Sequence, residues 1–221
     1  TKTACALRRR RAGRSRIPDY PPIIPKMRKL VFISHPNVVI SKDVPVTQWP
    51  LSPPGRARMT AGLSQPWIAD LSAVDCSAEQ KALDGAEILA HHLGLNYSAI
   101  HELGENDRSS TGYLPPDEFE RVADQFFAKP AESVRGWETA QAAQKRIVDA
   151  VHALARADTS TGLIAIVSHG AVGTLLHCHL TGQPISRRWD QPPNGGGNFY
   201  MFELNPARAL GGWQAIDDVA R

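Results

Sequence analysis

Short apolar runs are separated by amphipathic segments along most of the chain. Residues 30–34 and 163–167 are apolar and rich in β-branched side chains, which is typical of strands buried on both faces of a parallel sheet. Residues 73–76 form another strand candidate, and residues 199–204 and 213–216 predict two late strands around a turn. The pattern therefore predicts five strands spread over the whole length of the chain.

The segments between these runs have helical spacing and recognisable ends. Ser52 is suited to cap a helix with Pro53 in its first turn, and Gly94 is suited to end another. The five predicted helices span residues 53–63, 78–93, 116–127, 137–157 and 172–180.

Strands that alternate with helices in this way predict a three-layer α/β/α sandwich with a mostly parallel sheet. We expect residues 27–221 to form one domain, since neither a repeat nor a long linker interrupts them. Residues 96–136 have the least regular pattern. We expect this stretch to form a small cap insertion over one end of the sheet.

Composition excludes several classes of protein. Of the 221 residues, 42% are hydrophobic and 21% are charged, which is enough apolar material for a core and argues against wholesale disorder. A membrane-spanning helix needs about 18 consecutive apolar residues, and no run in the chain approaches that length, so we expect no membrane association. The three cysteines are scattered and without metal-site spacing, which favours a cytoplasmic location over an oxidising one.

The positive charge is concentrated at the amino terminus. Residues 1–26 contain eight Lys or Arg and one acidic residue, a charge of +7, which leaves −4 for residues 27–221 out of a total of +3. This basic, proline-rich stretch is expected to be a disordered extension. It could bind nucleic acid or an anionic membrane, or act as a transit peptide. The interpretation we favour is that Met27 is the natural start, and we assign the extension no function.

Two histidines follow predicted strands. His35 comes after residues 30–34, and His169 comes after residues 163–167 and before Gly170. Ligands of open α/β sheets bind beyond the carboxyl ends of the strands. A single histidine there more often anchors a loop, but a pair could act as nucleophile and electrostatic partner on a phosphoryl group.

Four motifs, in order, resemble those of the histidine phosphatase (phosphoglycerate-mutase-like) superfamily. The family's Arg-His-Gly is similar to Ser34-His35-Pro36, and its last motif, a Ser-His-Gly-Gly element, is similar to Ser168-His169-Gly170-Ala171. Two further elements lie between them, at residues 76–87 and 131–133. The resemblance covers about residues 27–182 and implies the fold predicted above.

The resemblance also implies a reaction and a role for each site residue. His35 would attack a phosphate monoester and become a phosphohistidine, while His169 would stabilise the transferring phosphoryl group. The proton donor of the family's Leu-x-Glu element would be Glu105, with Glu102 as the alternative. The scheme implies neither a metal nor a cofactor.

Departures from the family motif remove positive charge. Ser34 stands where the family has an arginine, and Lys81 stands where it has a second one. Lysine offers phosphate a point charge and serine none, whereas arginine offers a two-pronged fork. The loss of one such donor predicts a rate lower by about a hundredfold or more. We hypothesise that Arg108 supplies the missing charge.

The sequence therefore predicts a phosphomonoester hydrolase that acts on a small phosphorylated substrate. One alternative is a non-catalytic protein that binds a phosphorylated ligand or partner, and another is a phosphoglycerate-mutase-type phosphotransferase. Nucleic acid is expected as a partner only if the basic extension is functional. Neither the substrate nor the oligomeric state follows from the sequence.

Overall fold

A computed structural model describes residues 27–219 of the chain. Seven strands form one mixed, mostly parallel sheet in the order β3-β2-β4-β1-β5-β6, and β7 also pairs with β5. The strands are β1 (Arg28–Ser34), β2 (Leu71–Ser77), β3 (Tyr97–Ile100), β4 (Leu163–Ser168), β5 (Asn198–Leu204), β6 (Arg208–Ala209) and β7 (Gln214–Ala215). Strands β3, β2, β4 and β1 run parallel to one another, and β5 runs antiparallel to β1.

Five α-helices connect and cover the strands. They are α1 (Pro53–Ala61), α2 (Gln80–Leu93), α3 (Pro116–Ala128), α4 (Ala140–Ala157) and α5 (Gly170–Leu180). Ser52 caps α1 by accepting a hydrogen bond from Gly55 N, and the left-handed Gly94 ends α2. Ser52 and Gly94 are the helix ends that the sequence predicts. Each predicted helix is found within three residues of its expected limits.

The two faces of the sheet bury separate apolar cores. Along β1, Leu30 and Phe32 pack on one face with residues of α3, α4 and α5, while Val31 and Ile33 pack on the other with α1 and α2. Strand residues alternate between faces, so a strand covered by helices on both sides must be apolar throughout. The predicted three-layer α/β/α architecture is thereby confirmed.

One boundary of the predicted cap is wrong. Residues 97–100 form β3, which pairs in parallel with β2 at the edge of the sheet, so they belong to the sheet layer. The predicted extension over residues 1–26 lies outside the described residues. Within residues 27–219, no helix combines the length and apolarity required to cross a bilayer.

Candidate active site

His35 lies directly after β1 at the carboxyl end of the parallel strands. Its backbone N–H donates to Ser168 O at 2.9 Å, which continues the pairing of β1 with β4. Its Nδ1 donates to Pro36 O at 2.9 Å. The hydrogen is therefore held on Nδ1, and Nε2 keeps a free lone pair. Burial, together with the nearby positive charge of Lys81, lowers the pKa of His35 to about 4, so the ring is neutral near pH 7.

His169 faces His35 from the start of α5. The two ring centroids are 5.2 Å apart, with the ring planes at 72°. His169 is fully buried; its Nε2 lies 2.8 Å from Ser77 Oγ and 3.3 Å from Glu79 Oε1. Its Nδ1 has no hydrogen-bond partner within the part of the chain that is described. Burial lowers the pKa of His169 well below its ordinary value, so the ring is neutral near pH 7.

Glu79 connects His169 to a buried cation, and the sequence analysis missed it. Its carboxylate contacts Lys81 Nζ and accepts a hydrogen bond from Glu105 N at 2.9 Å. Burial raises the pKa of Glu79, but the adjacent His169 ring, the charge of Lys81 and these hydrogen bonds outweigh burial and hold the pKa at about 2. Glu79 therefore remains ionised and sets the charge around Nε2 of His169. Its position two residues before Lys81, within the family-like element at residues 76–87, is a sequence signal that could have found it.

Lys81 is directed into this cluster and is only 2% exposed. Its ammonium group contacts Glu79 and donates to Val46 O at 2.7 Å. Burial lowers the pKa of Lys81, and Glu79 opposes that effect. The charge predicted to bind phosphate is thus already paired with a carboxylate in the free protein.

The structure separates the two candidate proton donors. The Glu105 carboxyl group accepts hydrogen bonds from Ala171 N at 3.2 Å and Val172 N at 3.1 Å in the first turn of α5. Burial raises the pKa of Glu105, which favours the protonated form that a general acid needs. Glu102 is exposed, and its hydrogen bond is through its backbone carbonyl, to Arg146. Only Glu105 is brought to the helix that begins after His169.

Ser34 is bound in a polar network that the sequence did not suggest. Its hydroxyl donates to Gln191 Oε1 at 2.6 Å and accepts a hydrogen bond from Asn198 N at 3.0 Å. Asn198 Nδ2 donates to the same Gln191 oxygen at 2.9 Å. The Gln191 amide nitrogen lies so near Gly170 that an added Cβ there would be 2.3 Å away. The side chain of Gln191 therefore occupies the space beside Ser34 and the first residue of α5.

Arg108 is a half-buried cation without a salt bridge to any residue in the range 27–219. Its guanidinium group lies over the Phe119 ring, 4.9 Å from the centroid. Its charge contributes to lowering the pKa of both His35 and His169, although less than burial does. An unpaired guanidinium group close to two neutral imidazoles is suited to bind an anion between them.

A cavity of about 940 Å³ adjoins the cluster on the side of Glu79, Glu105 and Arg108, and neither His35 nor His169 lines it directly. It is lined by Glu79, Glu105 and Arg108 from the cluster above, and by Asn106, whose buried Nδ2 lacks a hydrogen-bond acceptor among the described residues. The further charged residues of its wall are Asp107, Glu138 and Arg146. The cavity is large enough for a small phosphate ester with its leaving group.

Comparison with protein families identifies one match. The model of the histidine phosphatase superfamily (branch 1) matches residues 41–208, which is about three quarters of the chain. The matched range includes His169 and Glu105 and begins after His35. No sequence among the curated proteins matches the chain significantly.

Solved structures share the fold at low sequence identity. A mycobacterial glucosyl-3-phosphoglycerate phosphatase in complex with inorganic phosphate superposes with a TM-score of 0.70 at 16% identity, covering 86% of this chain and 99% of its own. The YhfR protein of Bacillus stearothermophilus superposes with a TM-score of 0.69 at 20% identity, covering 87% of this chain and 98% of its own. An Escherichia coli protein described as a putative alpha-ribazole-5'-P phosphatase superposes with a TM-score of 0.59 at 18% identity, covering 88% of this chain and 98% of its own. At such identities the likeness establishes the fold alone.

Proposed function

The chain belongs to the histidine phosphatase superfamily, and we propose that it hydrolyses phosphate monoesters through a covalent phosphohistidine on His35. The observation that carries the proposal is the pairing of His35, whose Nε2 lone pair is free, with the buried ring of His169 5.2 Å away. A nucleophilic nitrogen must be neutral to attack, and the depressed pKa of His35 meets that requirement near pH 7.

In the first half-reaction, His35 Nε2 attacks phosphorus in line with the ester oxygen. The N–P bond forms, the P–O bond breaks, and Glu105 gives its proton to the leaving oxygen, so that an alcohol departs. In the second half-reaction, Glu105 accepts a proton from water. The water oxygen then attacks phosphorus, the N–P bond breaks, and inorganic phosphate leaves while His35 returns to its neutral form.

The phosphoryl oxygens need donors, and three groups are placed to supply them. Arg108 has no carboxylate partner within the described range, and Asn106 Nδ2 is buried without an acceptor. His169 would donate through Nδ1 once it takes up a proton, because its Nε2 already faces Glu79. Binding of a phosphate dianion would therefore raise the pKa of His169 and draw a proton from solvent.

A kinetic comparison of two substrates tests the proposal. His35→Ala should abolish hydrolysis of p-nitrophenyl phosphate and glycerol phosphate, whereas His91→Ala, on the exposed face of α2, should leave both rates unchanged. Glu105→Gln should lower kcat/KM, which reports formation of the phosphoenzyme, by about 10²–10⁴-fold for glycerol phosphate. The loss should be much smaller for p-nitrophenyl phosphate, since its leaving group departs without a proton.

Two results would count against this function. Full activity of His35→Ala would remove the nucleophile from the scheme. Binding of inorganic phosphate without hydrolysis of any monoester would favour the non-catalytic alternative.

A further inference from the structure

A smaller cavity adjoins the polar one and has different chemistry. Its volume is about 240 Å³. The aromatic pocket, as we name it, is formed mainly by Val46, Trp49, Tyr113, Leu114 and Phe119. The rings of Trp49 and Tyr113 pack against each other, with centroids 5.9 Å apart and planes inclined at 58°, and both line the pocket.

The aromatic pocket is continuous with the polar cavity. Val46, Arg108 and Gly112 line both of them. Arg108 is at the junction, with its guanidinium group stacked over Phe119 of the aromatic pocket. An ester whose phosphate binds Arg108 from the polar side would therefore direct its other group either into the aromatic pocket or back along the polar cavity.

Two of the polar groups around the aromatic pocket are already engaged, and Arg108 at its junction with the polar cavity is the unpaired one within residues 27–219. Trp49 Nε1 donates to Ser41 O at 2.9 Å, and Glu120 at the rim forms a salt bridge with Arg187. Away from Arg108, the walls therefore present ring faces and aliphatic groups to a bound molecule. Such a recess favours a planar apolar group that buries aromatic surface against rings.

The polar cavity disfavours a second negative charge on the substrate. Its wall carries four carboxyl groups, those of Glu79, Glu105, Asp107 and Glu138, against the two guanidinium groups of Arg108 and Arg146. The Arg146 guanidinium is occupied by the Glu138 carboxylate and by three backbone carbonyl groups. Once Arg108 binds the phosphate, the wall has no guanidinium left for a carboxylate on the leaving group.

From these two observations we propose that the aromatic pocket is the leaving-group subsite and that the substrate is a phosphate monoester of an uncharged aromatic alcohol. The assignment rests on the proposed phosphatase function of the same site. It separates this chain from an enzyme for phosphoglycerate-type esters, whose leaving group carries a carboxylate.

The substrate preference of the intact protein tests the assignment. We compare kcat/KM for naphthylmethyl phosphate, glycerol phosphate and 3-phosphoglycerate, which all release an alcohol. The kcat/KM for naphthylmethyl phosphate should exceed that for either of the other two substrates by about 30-fold, because burying one aromatic group in an apolar recess corresponds to about 2 kcal/mol. Tyr113→Ala should lower kcat/KM for naphthylmethyl phosphate by about tenfold and that for glycerol phosphate by a much smaller factor.

The chain offers a matched control and a readout that does not need turnover. Tyr97→Ala removes an exposed tyrosine from β3, at the far edge of the sheet. It should leave kcat/KM unchanged for both naphthylmethyl phosphate and glycerol phosphate. Calorimetric titration with naphthylmethylphosphonate should give binding about 30-fold tighter than with methylphosphonate.

The outcomes separate the two proposals. If every monoester resists hydrolysis but the naphthyl phosphonate binds tightly and Tyr113→Ala weakens it, the phosphatase function fails and the subsite stands. Equal binding of the two phosphonates would overturn the subsite. So would a preference for 3-phosphoglycerate, or no effect of Tyr113→Ala.

Discussion

Replacing the Glu79 carboxylate with an amide tests whether a single buried charge organises the site. Glu79→Gln keeps the shape of the side chain but removes the partner of Lys81, which is 2% exposed, and of His169, which is fully buried. The pKa of Glu79 in the folded protein is about 2, against an ordinary value of 4.5. That difference corresponds to about 3 kcal/mol of folding free energy at pH 7. The cost of breaking a buried ion pair, about 3–5 kcal/mol, is of the same order.

The sign of this effect fixes its pH dependence. Because the pKa of Glu79 is lower in the folded protein, its stabilisation is present above pH 4.5 and is lost as the pH falls toward 2. The stability difference between the wild type and Glu79→Gln should thus be about 3 kcal/mol at pH 7 and roughly half of that at pH 3.

Urea denaturation followed by circular dichroism between pH 7 and pH 3 measures this difference. Glu87→Gln provides the control, since Glu87 is an exposed residue of the same helix, α2, and its replacement should change stability little at any pH. Equal stability of wild type and Glu79→Gln at pH 7 would refute the reasoning. If the stability difference between the wild type and Glu79→Gln stays constant down to pH 3, the shape of the side chain, and not its charge, causes the loss of stability.

Three further changes have defined outcomes. Titration of the His35 ring followed by NMR in the free protein should give a pKa of about 4, where burial and the Lys81 charge place it; a pKa near 6.5 would contradict that shift. Gln191→Ala should cost about 1 kcal/mol in urea denaturation, because it removes the shorter of the two hydrogen bonds that Ser34 Oγ donates and leaves only the one to Asn198 O, while the exposed Gln183→Ala should cost little. Phe126→Ala should destabilise the core of the α3–α5 face by about 3–5 kcal/mol, and a loss under 1 kcal/mol would mean that the residue is not packed there.

Most of the fold follows from the sequence because its signals are local. Residues 30–34 and 163–167 are apolar without interruption since helices cover both faces of the sheet, and Ser52 and Gly94 mark helix ends by their own chemistry. β3 was missed for a physical reason. Three of its four residues are exposed at the edge of the sheet, so it carries neither an apolar run nor an alternating one.

The candidate site was predictable only where a residue follows a strand. His35 and His169 come directly after β1 and β4, so neighbouring strand ends bring them together. Gln191 and Ser34 are 157 positions apart in the chain, and no local sequence pattern predicts a contact between them. The role of Glu79 likewise depends on tertiary packing, because its partner His169 belongs to a different strand–helix unit.

Trapping the covalent intermediate tests the central claim most directly. The protein is mixed with radiolabelled p-nitrophenyl phosphate, quenched in alkali within the first turnover, digested and mapped. A phosphohistidine at His35 predicts label on the peptide that contains this residue, stable in alkali, released by acid and absent from His35→Ala. Turnover without label, or label that persists in His35→Ala, would contradict the mechanism.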